Sequence, residues 1–509
     1  MKFRPMPISD KLPYALYRAE QVREMDRIAT QTYGISGEEL MERAGQAAFA
    51  LLRERWPDAR RLLVVCGPGN NGGDGYVVAR LALEQGLDTL LVQLGHTARI
   101  RGEAASHRQH YLDAGGGEIL DAGWPVDSDV IVDAIFGTGL ERAIGGHWAD
   151  AIQRINRGAR PVLALDVPSG IHADSGSVLG IAVNAAATIS FLGLKQGLFT
   201  GAAPDYVGEV FYHALEVPAR LFASQIHAAR RQDWKRQRGV LPARRRTAHK
   251  GEFGHVLVIG GNHGMGGAAR LAGEAALRCG AGLVSLAIRA EHAATIAASR
   301  PELMAHGLDD ACGLAPMLAR ASVIVLGPGL GDDDWAYTLF DAALAAGKPG
   351  VLDADGLNRL AGLSTPSDLA GWVLTPHPGE AARLLETSIH EIQSDRFAAL
   401  RALQARFPGA TIVLKGAGSL VSAAAGKPPS VCDVGNPGMA SGGMGDVLGG
   451  VIGALLAQHL SADEAAIFGV CAHAEAADRA VMGPGERGLL ASDLYPWLRR
   501  LLNANLPRH

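Results

Sequence analysis

The chain has 509 residues, of which 48% are hydrophobic and 20% charged, and its formal net charge is −4. This is an ordinary globular balance with room for two or more domains, and it gives no general electrostatic case for binding nucleic acid or anionic membranes. The apolar runs are too short to span a bilayer, and the N-terminus lacks the apolar core of a signal peptide. Five scattered cysteines without a CxxC pair favour a reducing compartment. We therefore expect a cytoplasmic enzyme that handles metabolites.

The first half alternates helical and strand patterns. A helical pattern covers residues 17–52, where Ser36 and Glu39 resemble a capping box. Strand patterns follow at residues 61–66, 89–94, 130–134 and 161–166, separated by helical patterns at 76–85, 101–114 and 152–157. This alternation predicts a parallel α/β sheet, in which ligands bind at the carboxyl ends of the strands.

Three acidic residues, Asp74, Asp133 and Asp166, fall at or just after strand ends in this half. One such aspartate is often a helix cap, but three in one domain favour a binding site. Residues 67–72 (GPGNNG) formally match the dinucleotide fingerprint GxGxxG. The next strand ends without the acidic residue that would hold a ribose, so the match is weak evidence for a redox cofactor. Two interpretations of these residues are left: a tight turn, or a loop that contacts phosphate.

A basic stretch over residues 226–250 separates the two halves. Nucleic-acid binding is one interpretation, but the stretch is short and Trp234 is its single aromatic residue. We favour a solvated linker. The predicted organisation is a first domain at residues 1–225, a linker at 226–250 and a second domain at 251–509.

The second half repeats the α/β pattern without sharing register with the first, so we infer no internal repeat. Strand patterns cover residues 255–259, 281–287, 323–326, 350–353, 372–375, 411–415 and 420–422, and a helical pattern covers 268–279. The P-loop, HExxH and GxSxG motifs are missing from the sequence, which argues against the enzyme classes they mark. His377 is the one histidine singled out, because two prolines hold it after a strand.

Residues 435–450 (GNPGMASGGMGDVLGG) place seven glycines around Asp446, ahead of an apolar helical pattern. A glycine-rich turn that leads into a helix N-terminus is a typical anion site. By itself Asp446 is equally a helix cap or a base that accepts a proton from an attacking hydroxyl. Lys415 and the small residues after it form a second phosphate-type loop in the same half, which favours a functional role.

Several long motifs resemble two known families. GPGNNGGDG, VDAIFGTGL and LDVPSG, preceded by YRAEQVREMD and LMERAG, resemble the NAD(P)H-hydrate epimerases. KGEFGHVLVIGG, ALRCGAGLV, GPGLG, LDADGLN, TPHPGE, KGAGS and GGMGDVLGG resemble the NAD(P)H-hydrate dehydratases of the ribokinase-like superfamily. In this order they resemble the bifunctional NAD(P)H-hydrate repair enzymes over nearly the whole chain. The implied fold is α/β, with an N-terminal Rossmann-like three-layer α/β/α domain and a C-terminal ribokinase-like α/β domain.

The resemblance also implies a function. The first domain would epimerise the R and S hydrates of NADH and NADPH, with a potassium ion. The second would dehydrate the S hydrate with ADP and magnesium, and release AMP and phosphate. The expected partners are thus small molecules (NADHX, NADPHX and ADP) rather than nucleic acid or membranes, and we also expect a homo-oligomer.

Residue by residue, the resemblance implies two sites. In the first domain the dinucleotide would contact Asn70, Asn71, Gly72, Gly73, Asp74, Gly137, Thr138, Gly139, Leu140, Glu141, Arg142, Ala143 and Asp166. Potassium would be held by Asn71, Asp133 and Ser169, and Asp166 would move protons at the nicotinamide. In the second domain the nucleotide would bind Lys415, Gly416, Ala417, Gly418, Ser419 and Gly445, and the hydrate Ala268, Gly329, His377 and Asp446. Asp446 would act as the base.

The main alternative is a ribokinase-like small-molecule kinase that carries a nucleotide-sensing, non-catalytic N-terminal domain. Such a kinase would also need the glycine turn and Asp446. It would not explain why Asn71, Asp133 and Asp166 are all present in the first half.

Overall fold

The computed structural model describes residues 12–120, 127–363, 368–422 and 427–503. The chain divides into two compact units, Met1–Arg230 and Arg231–His509. This division falls inside the predicted linker, and part of that linker is folded. Trp234 is buried and meets the ring of Phe468 edge-on, with ring centroids 5.2 Å apart. Trp234, inside the predicted linker, therefore contributes to the core of the second unit.

The described part of the first unit begins with a two-residue strand and two helices and continues as an alternating α/β segment. Its strands are β1 (Ala15–Leu16), β2 (Arg61–Cys66), β3 (Asp88–Gln93), β4 (Glu118–Ile119), β5 (Val130–Ala134), β6 (Val162–Leu165), β7 (Ala187–Phe191), β8 (Glu209–His213) and β9 (Ala229–Gln232), which spans the division. Its helices are α1 (Ala19–Tyr33), α2 (Gly37–Arg55), α3 (Asn70–Glu84), α4 (Gly102–Asp113), α5 (His147–Arg157) and α6 (Ala219–Ala223). Ser36 caps α2, since its side chain accepts a hydrogen bond from the Glu39 amide at 3.1 Å.

Seven strands form one parallel sheet in the order β4-β3-β2-β5-β6-β7-β8. Side chains alternate between its faces, as strand geometry requires. Along β2, Leu62 and Val64 join a core with α1 to α4, whereas Leu63 and Val65 join a separate core with α5. The unit is thus a three-layer α/β/α structure, as predicted.

The second unit is built on a larger mixed sheet. Its strands are β10 (His255–Ile259), β11 (Leu283–Ile288), β12 (Met304–Gly307), β13 (Val323–Leu326), β14 (Gly350–Leu352), β15 (Trp372–Leu374), β16 (Thr411–Leu414), β17 (Ser419–Val421) and β18 (Ser430–Cys432). Its helices are α7 (Trp234–Gln237), α8 (Gly266–Arg278), α9 (Ala290–Ser299), α10 (Leu314–Arg320), α11 (Asp334–Ala345), α12 (Ala354–Ala361), α13 (Pro378–Leu384), α14 (Ile389–Ser394), α15 (Arg396–Arg406), α16 (Met444–Ala457), α17 (Ala462–Val481) and α18 (Tyr495–Leu502).

Strands β10 to β16 pair in parallel in the spatial order β12-β11-β10-β13-β14-β15-β16. Strands β17 and β18 extend this sheet in antiparallel fashion. Helix α16 is buried along almost its whole length. It lies very close to α8: a Cβ atom added to Gly450 would stand 2.0 Å from the Ala272 carbonyl oxygen. This contact holds α16 against α8 one turn after Asp446.

The structure differs from the predicted elements in two ways. Helix α3 begins at Asn70 rather than Tyr76, because glycines let its first turns pack closely; a Cβ on Gly72 would lie 2.0 Å from the Gly67 carbonyl oxygen. Strands β1, β4, β7, β8, β9, β12 and β18 were not predicted. Within the described ranges, every helix is too short or too polar to cross a membrane, and all five cysteines are free.

Candidate active sites

The first unit contains a cavity of about 740 Å³ beside the carboxyl ends of its central strands. Loops after β2, β5 and β6 bring together predicted residues that are far apart in the chain. The predicted residues that line the cavity are Asn70, Asn71, Asp74, Gly137, Thr138, Gly139, Leu140 and Asp166. These eight predicted residues therefore share one cavity lining.

Asp166 directly follows β6 and has a φ of 66°, a left-handed conformation that residues other than glycine rarely adopt. Its Oδ1 accepts a hydrogen bond from the ammonium group of Lys195. Lys195 is only 1% exposed and also donates to the Phe191 carbonyl at 2.9 Å. Sequence reasoning missed Lys195, although a single lysine inside the apolar run FLGLKQGLF is a signal that could have revealed it.

Two further carboxyl groups, Asp26 and Asp74, line the same cavity. Burial, together with the nearby Asp166 and Asp26, raises the pKa of Asp74 well above its usual value. Burial and Asp166 raise the pKa of Asp26 to about 6, and Lys195 opposes that rise. The cavity thus contains carboxyl groups that differ in their readiness to hold a proton.

Asp133 and Ser169 form a buried oxygen-rich pair in the same unit. Asp133 accepts from the Ser169 hydroxyl at 2.6 Å and from the Ser169 amide at 2.8 Å. Burial raises the pKa of Asp133 to about 6, and these hydrogen bonds limit the rise. Neither polar atom of the buried Asn71 amide has a hydrogen-bond partner among the residues that the structure describes.

Some predicted contact residues lie outside the cavity lining. Glu141, Arg142 and Ala143 are exposed beyond the loop that follows β5. Gly72 and Gly73 pack against protein instead; a Cβ on Gly73 would meet the Met41 sulfur at 2.4 Å. These two glycines are explained by the close approach of α3 to its neighbours.

In the second unit Asp446 lies in the first turn of α16, whose N-cap is Gly443 and not Asp446. Burial and the carboxylates of Asp353 and Asp355 raise the pKa of Asp446 to about 7, against the lowering effect of Lys415. The helix dipole alone would lower the pKa of an acid in this position. These features favour the interpretation of Asp446 as a base over its interpretation as a cap.

Lys415, at the end of β16, connects the acidic groups of this site. Its Nζ lies 2.7 Å from Asp353 Oδ1 and 3.7 Å from Glu380 Oε2. Burial lowers the pKa of Lys415, but these two carboxylates outweigh burial and raise it overall. Burial also raises the pKa of Glu380 to about 7, with Asp353 adding to that rise and Lys415 opposing it. A Cβ on Gly445 would stand 3.3 Å from both Asp353 Oδ2 and Lys415 Nζ, so Gly445 borders this cluster.

His377 caps α13 next to the cluster. Its Nδ1 accepts from the Gly379 amide at 2.9 Å, and its own amide donates to Glu380 at 2.7 Å. Burial and the positive charge of Lys415 lower the pKa of His377. The imidazole is half exposed, with 51% of its side chain accessible, so it can still meet a ligand.

Two more predicted residues of the second unit are Ala268, in the first turn of α8, and Gly329, in the loop after β13. Gly329 and Ala268 are neighbours, since a Cβ on Gly329 would be 3.2 Å from Ala268 Cβ. The loop of Gly329 reaches the acidic cluster because the Gly331 amide donates to Asp355 at 2.8 Å.

The loop of residues 415–419 is supported by a buried arginine. Arg396 donates to the carbonyl oxygens of Leu414 at 3.1 Å and Lys415 at 3.2 Å. It also lies beneath Gly416, where an added Cβ would come within 2.9 Å of the guanidinium group. Sequence reasoning did not assign a role to Arg396, Asp353 or Glu380.

Comparisons with known proteins agree with this two-unit architecture. A family model described as YjeF-related protein N-terminus matches residues 37–197, and one described as NAD(P)H-hydrate dehydratase matches residues 256–499. The chain is 49% identical to the bifunctional NAD(P)H-hydrate repair enzyme Nnr of Coxiella burnetii, over 96% of this chain and 99% of that one. It is 45% identical to the enzyme of the same name from Escherichia coli, over 99% and 96% of the two chains.

Solved structures show the same fold for the second half. A ribokinase-like superfamily protein from Enterococcus faecalis aligns with a TM-score of 0.50 and 28% identity, and covers 55% of this chain and 97% of its own. Together the matches confirm the predicted fold class and the prediction of a bifunctional enzyme. They do not favour the alternative of a kinase with a non-catalytic N-terminal domain. The chain belongs to the family of bifunctional NAD(P)H-hydrate repair enzymes.

Proposed function

We propose that the first unit interconverts the R and S hydrates of NADH and NADPH, and that the second unit dehydrates the S hydrate with ADP. The products of the second unit are NAD(P)H, AMP and phosphate. The observation that carries this proposal is Asp446, a carboxyl with a pKa of about 7 that stands at a glycine-rich helix N-terminus near Lys415 and Asp353.

The chemistry of the second unit follows from a leaving-group problem. Hydroxide leaves C6 of the hydrated ring poorly, whereas phosphate leaves well. Asp446 accepts the proton of the C6 hydroxyl as its oxygen bonds to the β-phosphorus of ADP and the bond to AMP breaks. The ring nitrogen then expels phosphate, and loss of a proton from C5 completes the C5–C6 double bond.

The nucleotide-binding part of the proposal uses Lys415, Gly416, Ala417, Gly418, Ser419 and Gly445. Gly416 and Gly418 both have positive φ, so the loop turns sharply and presents backbone to a ligand. We propose ADP as the co-substrate on the resemblance alone.

Magnesium suits this site by the chemistry of its donors. Among the described residues there is no cluster of three or more His, Cys, Asp or Glu side chains that could hold a metal. Mg²⁺ commonly binds through one or two carboxylates, waters and substrate phosphates, and so needs no such cluster. Asp353 and Glu380 would hold it beside the phosphates, where it supplies neutralising charge.

Potassium fits the first unit in a similar way. The buried carboxylate of Asp133, the hydroxyl of Ser169 and the unpartnered amide oxygen of Asn71 are hard oxygen donors. These three residues would hold the ion, which supplies positive charge next to the bound dinucleotide. Asp166 moves the protons that epimerisation at C6 requires.

We further propose that the enzyme acts in the cytoplasm as a homo-oligomer on small-molecule substrates, without nucleic-acid or membrane partners. The absence of disulfides among its cysteines supports a reducing compartment. Light scattering of the purified chain measures the oligomeric state, and a monomer at working concentration contradicts that part of the proposal.

The central experiment supplies a mixture of R and S hydrates of NADH with ADP, with ATP or with neither. With ADP we expect complete and prompt recovery of dihydronicotinamide absorbance. Prompt recovery of the S portion alone contradicts the epimerase assignment. No recovery with either nucleotide contradicts the dehydratase assignment.

A further inference from the structure

The cavity of the first unit presents three carboxyl groups and one ammonium group to the same space. Asp26, Asp74, Asp166 and Lys195 all line it. Epimerisation at C6 needs one group that gives a proton and another that takes one. Since the carboxyl groups are chemically alike, their surroundings must assign these two roles.

Lys195 contacts one of these carboxyl groups directly, which is Asp166. Its other hydrogen bonds go to the Ser190 hydroxyl at 3.2 Å and the Phe191 carbonyl at 2.9 Å. The three acceptors account for the three N–H bonds of an ammonium group, which leaves none for the substrate. Ser190 and Phe191 belong to the end of β7, which pairs with β6, the strand that Asp166 follows. The ammonium group is therefore fixed to the sheet next to Asp166.

Asp74 approaches the cavity from α3, on a different element from Asp166. Its pKa is raised well above the usual value, first by burial and then by Asp166 and Asp26. Asp74 is thus suited to carry a proton, whereas Asp166 is paired with the ammonium group of Lys195.

We propose that Lys195 is a positioning residue that makes Asp166 the base of the epimerase and leaves Asp74 as its acid. This inference rests on the proposed epimerase function of the first unit, and it assigns the two proton-transfer roles within that function.

The step balances with water as its only other reactant. Asp74 gives its proton to the C6 hydroxyl, the C6–O bond breaks with its electron pair on the departing water, and the ring nitrogen forms a double bond to C6. A water molecule then adds to the opposite face of C6, the electron pair returns to nitrogen, and Asp166 accepts the released proton. Transfer of a proton from Asp166 back to Asp74 restores the site.

The test uses the full-length chain, purified R hydrate of NADH and no nucleotide, so that epimerisation is observed alone. Chromatography follows formation of the S form, corrected for the rate without enzyme. We expect K195M to lower kcat by about 10²–10⁴-fold, the range typical of lost acid–base catalysis, with KM changed less than about threefold. Lys235, exposed on α7, provides the matched control K235M, which should keep the wild-type kcat.

Chemical rescue distinguishes a positioning role from a structural one. K195A removes the ammonium and leaves space for a small amine, so propylammonium should raise its kcat at least tenfold and should not affect K235M. A K195M variant with the wild-type kcat, or with a change in KM alone, overturns the proposal. If K195A and K195M do not fold, the kcat of D74N tests the proposal instead. It keeps the shape of a protonated carboxyl without a transferable proton, so a wild-type kcat in D74N overturns the acid assignment.

Failure of the wild-type enzyme to interconvert the hydrates contradicts the proposed function itself. Normal interconversion by the wild type together with unaffected variants contradicts only the roles assigned here to Lys195 and Asp74.

Discussion

The carboxylate of Asp446 lies where the dipole of α16 favours negative charge, yet its pKa is about 7. Burial and the neighbouring Asp353 and Asp355 outweigh the dipole and the nearby Lys415. A carboxyl in this range is charged for part of the time at neutral pH and binds a proton strongly enough to accept one. That combination suits a general base better than an exposed acid would.

Asp446→Asn tests this role directly. We expect the rate of ADP-dependent dehydration of the S hydrate to fall by about 10²–10⁴-fold, because the amide cannot accept a proton. R/S interconversion should continue in the same variant. Asp334→Asn is the matched control, since Asp334 is an exposed acid in the first turn of α11. Dehydration by Asp446→Asn at the wild-type rate would show that another group is the base.

The pKa of Asp446 predicts that dehydration slows as the pH falls. Below a pKa of about 7 the Asp446 carboxyl is protonated and cannot act as a base, so kcat/KM should fall as pH decreases through 7. Glu380 also has a pKa of about 7 and contacts Lys415, so the measured midpoint belongs to the coupled cluster. A profile recorded from pH 5 to 9 with saturating ADP measures it. A rate that stays constant between pH 6 and 8 contradicts the assignment.

The predicted site residues lie in local sequence motifs, whereas the missed ones depend on contacts between distant parts of the chain. Asp446 and Asp166 stand in motifs that their immediate neighbours make recognisable. Lys195 and Asp353 gain their roles from ion pairs with residues far away in the chain, Asp166 and Lys415. Such pairs exist only after strands from different parts of the chain are placed side by side, and local patterns do not contain that information.

At the scale of elements, α16 is positioned by contact between backbones. Gly450 faces the Ala272 carbonyl of α8 so closely that no side-chain carbon fits between them. The neighbouring Gly449 has ordinary space, with the nearest atoms 3.7 and 3.9 Å from an added Cβ. The two adjacent glycines therefore have different reasons to be glycine.

Gly450→Ala should destabilise the protein by about 1–3 kcal/mol, because α16 must move away from α8 to admit the methyl group. Since Asp446 lies one turn earlier on the same helix, dehydration should weaken as well. Gly449→Ala is the control and should be neutral or stabilising by roughly 0.5–1 kcal/mol, as alanine favours helices. Thermal unfolding of the two variants provides the measurement. Equal melting temperatures would mean that the helix contact does not constrain position 450.

The strands that the sequence predicted best are those of the two sheet centres. β2, β5, β10 and β13 match their predicted bounds, because buried parallel strands are continuous apolar runs. The short edge strands β4 and β12 have no such run, since they are partly or mostly exposed, and they were missed. Helix α3 was placed too late because its glycines were interpreted as loop, although they serve close packing.

At the scale of the whole molecule, each of the two units contains its own proposed site, and the proposed intermediate is a free small molecule. We expect two variants with separate defects to complement each other. A mixture of Asp166→Asn and Asp446→Asn chains should recover NADH from the R hydrate with ADP, although neither variant does so promptly alone. Absorbance at the dihydronicotinamide band measures recovery. Lack of recovery in the mixture would mean that both intact sites are needed in one chain.

The left-handed backbone of Asp166 also limits which residues can replace it. At φ 66° most side chains crowd the following carbonyl, which costs about 1–2 kcal/mol, while asparagine and aspartate tolerate the conformation well. Exchange of the carboxyl for an amide therefore leaves the main chain in place and removes only the charge. Alanine would combine a chemical loss with a shift of the loop after β6. A survey of tolerated substitutions at this position should consequently recover asparagine and glycine as folded proteins far more often than valine or isoleucine.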